Sequence, residues 1–87
     1  LWNWNMASIY SEEYQLVIKE LKSARKARGI TQAELADALG RPQSFIAKIE
    51  NGERRLDIVE FVHMARMLGI DSAWIVEKLG KDVRSIR

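Results

Sequence analysis

Three side chains that can form directional hydrogen bonds, Gln43, Ser44 and Lys48, occur in the segment QSFIAK, residues 43–48. The amide of Gln43 can pair bidentately with an adenine, and the ammonium of Lys48 can donate to a guanine. Ser44 accepts or donates to several bases, and Ala47 can contact the methyl group of a thymine. On one exposed helix face, these four residue types would form a surface able to read base edges. The alternative is an ordinary solvent-facing helix.

Catalytic and metal-binding chemistry has few candidates. The sequence has no cysteine, which excludes disulfides, thiolate nucleophiles and the common structural zinc sites. His63 is the single histidine, and no nucleophile–base pair, metal cluster or phosphate-binding loop accompanies it. We therefore expect no enzyme, no metal, no cofactor and no small-molecule ligand, and a half-buried or surface position for His63.

The distribution of charge indicates a polyanionic partner more strongly than the net charge does. The 87 residues carry a formal charge of only +2, but five bases and one acid lie between Lys19 and Arg28. From Arg41 to Arg55 there are four bases and two acids. One positive face would attract a polyanion, although a solvated helix face is the alternative for each cluster. The apolar runs are far shorter than the roughly 20 residues that cross a bilayer, so we expect no membrane span. The absence of cysteine is compatible with a reducing compartment, and we expect a cytoplasmic location.

Helical periodicity dominates the sequence, and no strand-like alternation of useful length occurs. The first helix should begin near Ser11, an N-cap followed by two acidic residues, and stop at Gly29. A capping box of Thr31 and Glu34 starts a second helix, which Gly40 can end in a left-handed turn.

Three further helices follow, each marked by residues that start or stop a helix. They are Pro42 before the third helix (residues 43–50), the box-like pair Asp57 and Glu60 before the fourth, Gly69 after the fourth, and Asp71 or Ser72 before the fifth. The fold class is therefore an all-α, five-helix domain over residues 11–80, with an N-terminal segment (1–10) and a frayed tail (81–87). Met6 would be a natural start, and the residues before it are either native or an expression remnant.

Apolar residues at helical spacing should form one core. They are Tyr14, Val17, Ile18, Leu21 and Ala24 in the first helix, Leu35, Ala36 and Leu39 in the second, Ile46 and Ile49 in the third, and Ile58, Phe61, Val62, Ala65 and Leu68 in the fourth. The fifth helix bears Ile75, Val76 and Leu79. Phe45 is expected to pack over the loop near Leu56 rather than contact thymine methyl groups.

The interval from Gln32 to Glu50 predicts two short helices that cross closely. Ala36 is small enough for the crossing point, and the isoleucines of the third helix would face back onto the second. The other side of the third helix is then left free. This is the helix-turn-helix arrangement, in which the second helix of the pair enters the major groove of DNA.

Residues 25–70, about half of the chain, resemble the Cro and phage-repressor (Xre-type) helix-turn-helix family. The matching stretches are RKARGITQAELADALG, SFIAKIENGERR and ARMLGI. The resemblance implies five helices around one core, a homodimer, and binding to a near-palindromic double-stranded DNA operator to regulate transcription, with repression as the expected effect. Arg41 and Pro42 depart from the family, in which many members carry an apolar residue and then a Ser or Thr N-cap.

The resemblance also assigns roles to single residues. It places Gln43, Ser44 and Lys48 at base edges, with Ala47 on the same side. The expected phosphate contacts are Gln32 at the start of the second helix and Asn51, Arg54 and Arg55 after the third, although for the two arginines a solvated loop is the alternative. Similar family members pair a glutamate with an arginine of the first helix, which Glu50 and Arg25 match. We interpret this pair as structural support.

The sequence of the fifth helix predicts an interface between two copies of the chain. Trp74 and Val76 flank the inward Ile75, so at least one of them should face outward, and exposed apolar residues of this kind often mark a contact surface. We expect a two-fold homodimer built mainly by this helix, to which Trp2, Trp4 and Ile9 can add. The rival prediction for the whole chain is a protein-interaction module, such as an antitoxin-type partner, that uses the same fold.

Overall fold

Five helices and no strand make up the part of the chain that the computed structural model describes, residues 12–87. They are α1 (Glu12–Ala27), α2 (Gln32–Leu39), α3 (Gln43–Glu50), α4 (Ile58–Leu68) and α5 (Ser72–Lys78). The predicted all-α class is confirmed. The expected start near Ser11 and the residues Trp2, Trp4 and Ile9 lie outside the described residues.

Local capping chemistry sets the helix starts as the sequence predicts. The Thr31 hydroxyl accepts the Glu34 amide at 3.0 Å while the Glu34 carboxylate accepts the Thr31 amide at 2.8 Å. Asp57 and Glu60 form the same reciprocal box before α4, at 2.8 and 3.2 Å. Asp71 caps α5. Each cap satisfies backbone donors that the first turn of a helix cannot pair internally.

The start of α3 differs from the other starts that carry a described cap. Pro42 occupies the N-cap position with an extended backbone and forms no side-chain hydrogen bond to the helix. This follows from the departure at Arg41 and Pro42, since proline has no side-chain acceptor. The preceding turn depends on Gly40, whose φ of +70° a residue with a Cβ rarely adopts.

In the core, α1 and α2 pack against both α3 and α4, and α5 packs on α4. Its largest fully buried side chains are Ile46, Ile49, Met64, Leu68 and Ile75. Ile46 and Ile49 come from the short α3, so the helix that carries the candidate site is anchored at the centre of the domain. Phe45 is also buried, as predicted.

Two residues of α4 were wrongly predicted to be in the core. Ile58 is 68% exposed and Val62 is 37% exposed, whereas Met64 is buried. At about 100° per residue, the buried arc of α4 centres between Phe61, Met64, Ala65 and Leu68. Ile58 lies about 70° and Val62 about 110° from that centre. The sequence pattern therefore predicted the helix correctly but placed the centre of its buried face too close to Ile58 and Val62.

Two further structural findings concern membranes and metals. Within residues 12–87, no helix has both the length and the apolar character needed to cross a membrane. The same residues contain no group of three or more His, Asp or Glu side chains placed to hold a metal ion.

Candidate nucleic-acid interface

One side of α3 faces away from the core. Gln43, Ser44 and Lys48 are exposed and Ala47 is half-buried. With Gln43 as the reference, Ala47, Ser44 and Lys48 lie at about 40°, 100° and 140° around the helix. The structure therefore brings the four predicted base-contacting residues together on one arc, and their contacts with bases stay a prediction.

A chain of hydrogen bonds runs along one edge of this arc. The Gln43 Nε2 donates to Gln32 Oε1 at 3.3 Å, and the Gln32 Nε2 donates to Glu50 Oε1 at 2.9 Å. Gln32 thus links the N-terminal end of α2 to both ends of α3. An amide nitrogen carries two N–H donors, so one N–H of Gln32 remains beside the one that it donates to Glu50.

A buried ion pair lies at the end of this chain. Arg25 donates to both carboxylate oxygens of Glu50, from Nε at 2.6 Å and from Nη2 at 2.9 Å. Its Nη1 also donates to the carbonyl oxygen of Ile30 at 2.7 Å. The two side chains are only 9% and 3% exposed. The pair joins α1 to the C-terminal end of α3 with the planar, bidentate geometry that arginine favours.

The ionisation of Glu50 follows from these contacts. Burial alone raises the pKa of this carboxyl, but the hydrogen bonds from Arg25 and Gln32, with the charges of Arg25 and Lys22, outweigh it and hold the pKa below its ordinary value. A carboxylate at a helix C-terminus opposes the helix dipole. The charged partner of Glu50 offsets that cost and keeps the carboxylate ionised.

The loop after α3 carries the remaining predicted phosphate contacts. Asn51 is exposed and donates to Glu53 at 3.4 Å. Arg54 is half-buried and donates from Nη1 to the carbonyl oxygen of Arg55 at 3.0 Å and to Glu60 at 3.3 Å. The Tyr14 hydroxyl fixes the backbone here, since it accepts the Leu56 amide at 2.8 Å and donates to the Arg54 carbonyl oxygen at 3.4 Å.

A helix-turn-helix family model matches residues 21–75, well over half of the chain. The solved structure of an XRE-family like protein from Pseudomonas syringae pv. tomato str. DC3000 is 45% identical in sequence. The similarity covers 92% of this chain and 98% of that one, with a TM-score of 0.76. The chain belongs to the Xre-type helix-turn-helix family. No curated protein matches it. The family identity makes the chain a DNA-binding transcriptional regulator in general terms.

Two side chains of this Xre-type domain, Arg41 and Glu60, lie beside the candidate site without having been predicted there. Arg41 and Arg54 place their guanidinium Cζ atoms 4.7 and 4.4 Å from the centre of the Phe45 ring. Glu60 accepts from Arg41 at 3.2 Å and from Arg54 at 3.3 Å. Sequence reasoning treated Arg41 as a departure from the family and Glu60 as a cap. No local signal joins them, because Arg41 and Glu60 are 19 residues apart and meet only in the folded chain.

The predicted interface residues of this Xre-type domain are exposed on α5. Trp74 is 46% and Val76 is 52% exposed, on either side of the fully buried Ile75. The Lys78 ammonium lies 3.7 Å from the centre of the Trp74 ring. An open groove of about 280 Å³ adjoins Val76 and is also lined by Ile58 of α4. The outward orientation is as predicted, and the assembly of two chains stays a prediction.

Proposed function

We propose that the protein represses transcription by binding a near-palindromic DNA operator as a homodimer, with residues 43–50 in the major groove. The observation that carries this proposal is the exposed arc of α3, on which Gln43, Ser44, Ala47 and Lys48 lie together while Ile46 and Ile49 fix the opposite side in the core. Base readout requires polar side chains that a well-packed element holds in position, and α3 presents such side chains on its solvent-exposed side.

The contacts of Gln43 support a reading role. Its amide is held by Gln32, which is itself held by the buried Glu50. A side chain oriented before binding loses less conformational entropy when it pairs with a base. In this proposal Gln43 and Lys48 provide the directional hydrogen bonds, while Ser44 and Ala47 provide close contact with the groove.

Backbone contacts would fix the register of α3. Gln32 offers an amide donor at the N-terminus of α2, where the helix dipole also favours a phosphate. Asn51, Arg54 and Arg55 follow α3 and would contact phosphates of the same half-site. We also propose that the protein acts in the cytoplasm, because its partner is DNA.

Selection of bound sites from a random duplex library tests the proposed function. We expect a near-palindromic consensus whose half-sites are about one helical turn apart, with an affinity that falls steeply with salt. A scrambled duplex of the same composition is the matched control. If duplex binding shows no sequence preference and no salt dependence, the protein-interaction module or antitoxin-type partner becomes the better explanation of the fold.

A further inference from the structure

The exposed arc of α3 has two edges. Gln32 of α2 lies beside only one of them, the edge at Gln43. Phe45 lies about 200° around the helix from Gln43, so it forms the other edge, with Ser44 and Lys48 between the two. The Phe45 ring is buried, and the guanidinium groups of Arg41 and Arg54 lie over it. A recognition helix in a major groove about 12 Å wide has a phosphate backbone on each side.

The two arginines share one anion. Glu60 gives one oxygen to each guanidinium, at 3.2 and 3.3 Å. The neighbouring carboxylate of Asp57 accepts the Glu60 amide and forms an ion pair with neither arginine within the described chain. Two cations on one carboxylate leave donor capacity, since a guanidinium has five N–H groups and Arg41 donates only one to Glu60.

The contacts to Glu60 are weak enough to exchange. The side chains of Arg41 and Arg54 are 48% and 38% exposed, so their ion pairs are screened by water and salt. Both guanidinium groups also lie over the Phe45 ring, in a cation–π contact that does not involve Glu60. A phosphate oxygen arriving at this edge would therefore meet two positioned cations and one competing carboxylate.

We propose that Arg41 and Arg54, held over Phe45, form a phosphate-binding site for the DNA strand opposite the one that Gln32 faces, and that Glu60 weakens this site by competing with the phosphate. The inference rests on the proposed function and deepens it. It adds Arg41, which is outside the predicted contact set, and it gives Glu60 a part in binding as well as in capping α4.

Two charge variants test the site, with fluorescence anisotropy on a random-sequence duplex and on a selected operator as the measurement. Arg41→Gln should weaken binding to both duplexes by about threefold to tenfold and flatten the log–log salt slope by about 0.9. Glu60→Gln should tighten binding by a similar factor, because the competing charge is gone. Glutamine at this position keeps the capping box, so α4 is expected to start as before.

A matched control and a double variant separate the site from a general charge effect. Arg66→Gln removes the same charge from the exposed surface of α4, about 9 Å along the helix from Glu60, and should change affinity by less than about twofold. In the Arg41→Gln/Glu60→Gln protein, Glu60→Gln should increase DNA affinity by less than it does in the parent. Only Arg54 is then left to be released from Glu60, because Arg41 has been replaced. A purely structural role for Glu60 would show no such coupling.

The outcomes distinguish this site from the proposed function. If the parent binds DNA but a folded Arg41→Gln protein keeps the parental affinity and salt slope, the site is wrong and the proposed function stands. The site is also wrong if Glu60→Gln weakens DNA binding while its melting temperature is unchanged. If the parent shows no salt-dependent duplex binding, the proposed function and the site fail together.

Discussion

At the scale of single residues, Glu50 connects stability to the reading surface. It ends α3, where its charge is unfavourable to the helix dipole, and it is nearly inaccessible to water. Arg25 compensates the charge, and Gln32 occupies one of the oxygens that Arg25 also contacts. The same carboxylate therefore fixes the end of α3 and orients the amide that holds Gln43.

Removal of this carboxylate should leave a buried arginine without its partner. We expect Glu50→Ala to lower the free energy of unfolding by about 1–4 kcal/mol, measured by urea denaturation. Glu53→Ala, which removes an exposed acid from the following loop, is the control and should change stability by about 0.5 kcal/mol or less. A double-mutant cycle with Arg25→Ala that shows no coupling energy would refute the ion pair's contribution.

The lowered pKa of Glu50 also predicts a pH dependence of stability. Because the folded pKa lies below the ordinary value of 4.5, the unfolded chain binds a proton more readily than the folded one. The contribution of Glu50 is therefore complete above the ordinary pKa and is lost as the pH falls through the folded pKa. Urea unfolding between pH 7 and pH 3 should show a smaller decline for Glu50→Gln than for the parent. Parallel declines would contradict the assignment.

The glutamines at the edge of α3 should differ in their effect on DNA binding. Gln43→Ala should cost about 1–3 kcal/mol of operator affinity and relax the preference at one base position. Gln32→Ala should weaken binding to every sequence, since its expected contact is a phosphate, and should reduce the preference at the base that Gln43 reads only in part, since Gln43 itself remains. Anisotropy with single-base operator variants measures both. An unchanged operator affinity in a folded Gln43→Ala protein would remove α3 from the role of reading helix.

At the scale of elements, the sequence predicted best what adjacent residues decide. Both capping boxes, the left-handed turn at Gly40 and the helix end at Gly69 depend on residues within one turn of the chain, and all four are found as expected. The resemblance extended this success to Arg25 and Glu50, which lie 25 positions apart and could not have been paired by helical periodicity.

The errors arose where one helix meets another. Ile58 and Val62 fit an amphipathic pattern, but the actual inner face of α4 is set by its packing against α1 and α2. The cluster of Arg41, Phe45 and Glu60 joins two stretches of chain, the start of α3 and the first turn of α4, through a tertiary contact between Arg41 and Glu60. Helix propensity and residue spacing do not report contacts between helices, so the edge of the candidate site that Phe45 forms with Arg41 and Glu60 was not predicted.

The start of α2 offers a test at the scale of one helix. Thr31→Ala removes the acceptor for the Glu34 amide and should lower the free energy of unfolding by about 1 kcal/mol. Thr31→Ser keeps a hydroxyl at the same place and should restore most of the loss. Thermal unfolding of the three proteins compares them directly. If the alanine and serine variants melt together, the cap contributes nothing measurable to this helix.

At the scale of the whole molecule, one copy of α3 reads few base pairs. Single sites of that size give little selectivity among the many competing sequences in a genome. Two copies related by a two-fold axis would place their recognition helices about 34 Å apart and read a near-palindrome. The proposal of a homodimer follows from this need and from the apolar residues that α4 and α5 expose.

Those exposed residues locate the interface that we expect. Trp74 and Val76 of α5 project outward, and the groove beside Val76 reaches the exposed Ile58 of α4. Trp74→Glu would place a carboxylate in the buried centre of the dimer, where its desolvation costs several kcal/mol without a partner. Sedimentation at micromolar concentration should then show a dimer for the parent and a monomer for the variant.

Val83→Glu is the matched control, because Val83 is 72% exposed but lies beyond α5. This protein should sediment as a dimer like the parent, which would show that the effect of Trp74→Glu depends on its position and not on added charge alone. A parent that remains monomeric both free and on a full operator would refute the dimer. A Trp74→Glu protein that still dimerises would keep the two-fold assembly and move its interface away from α5.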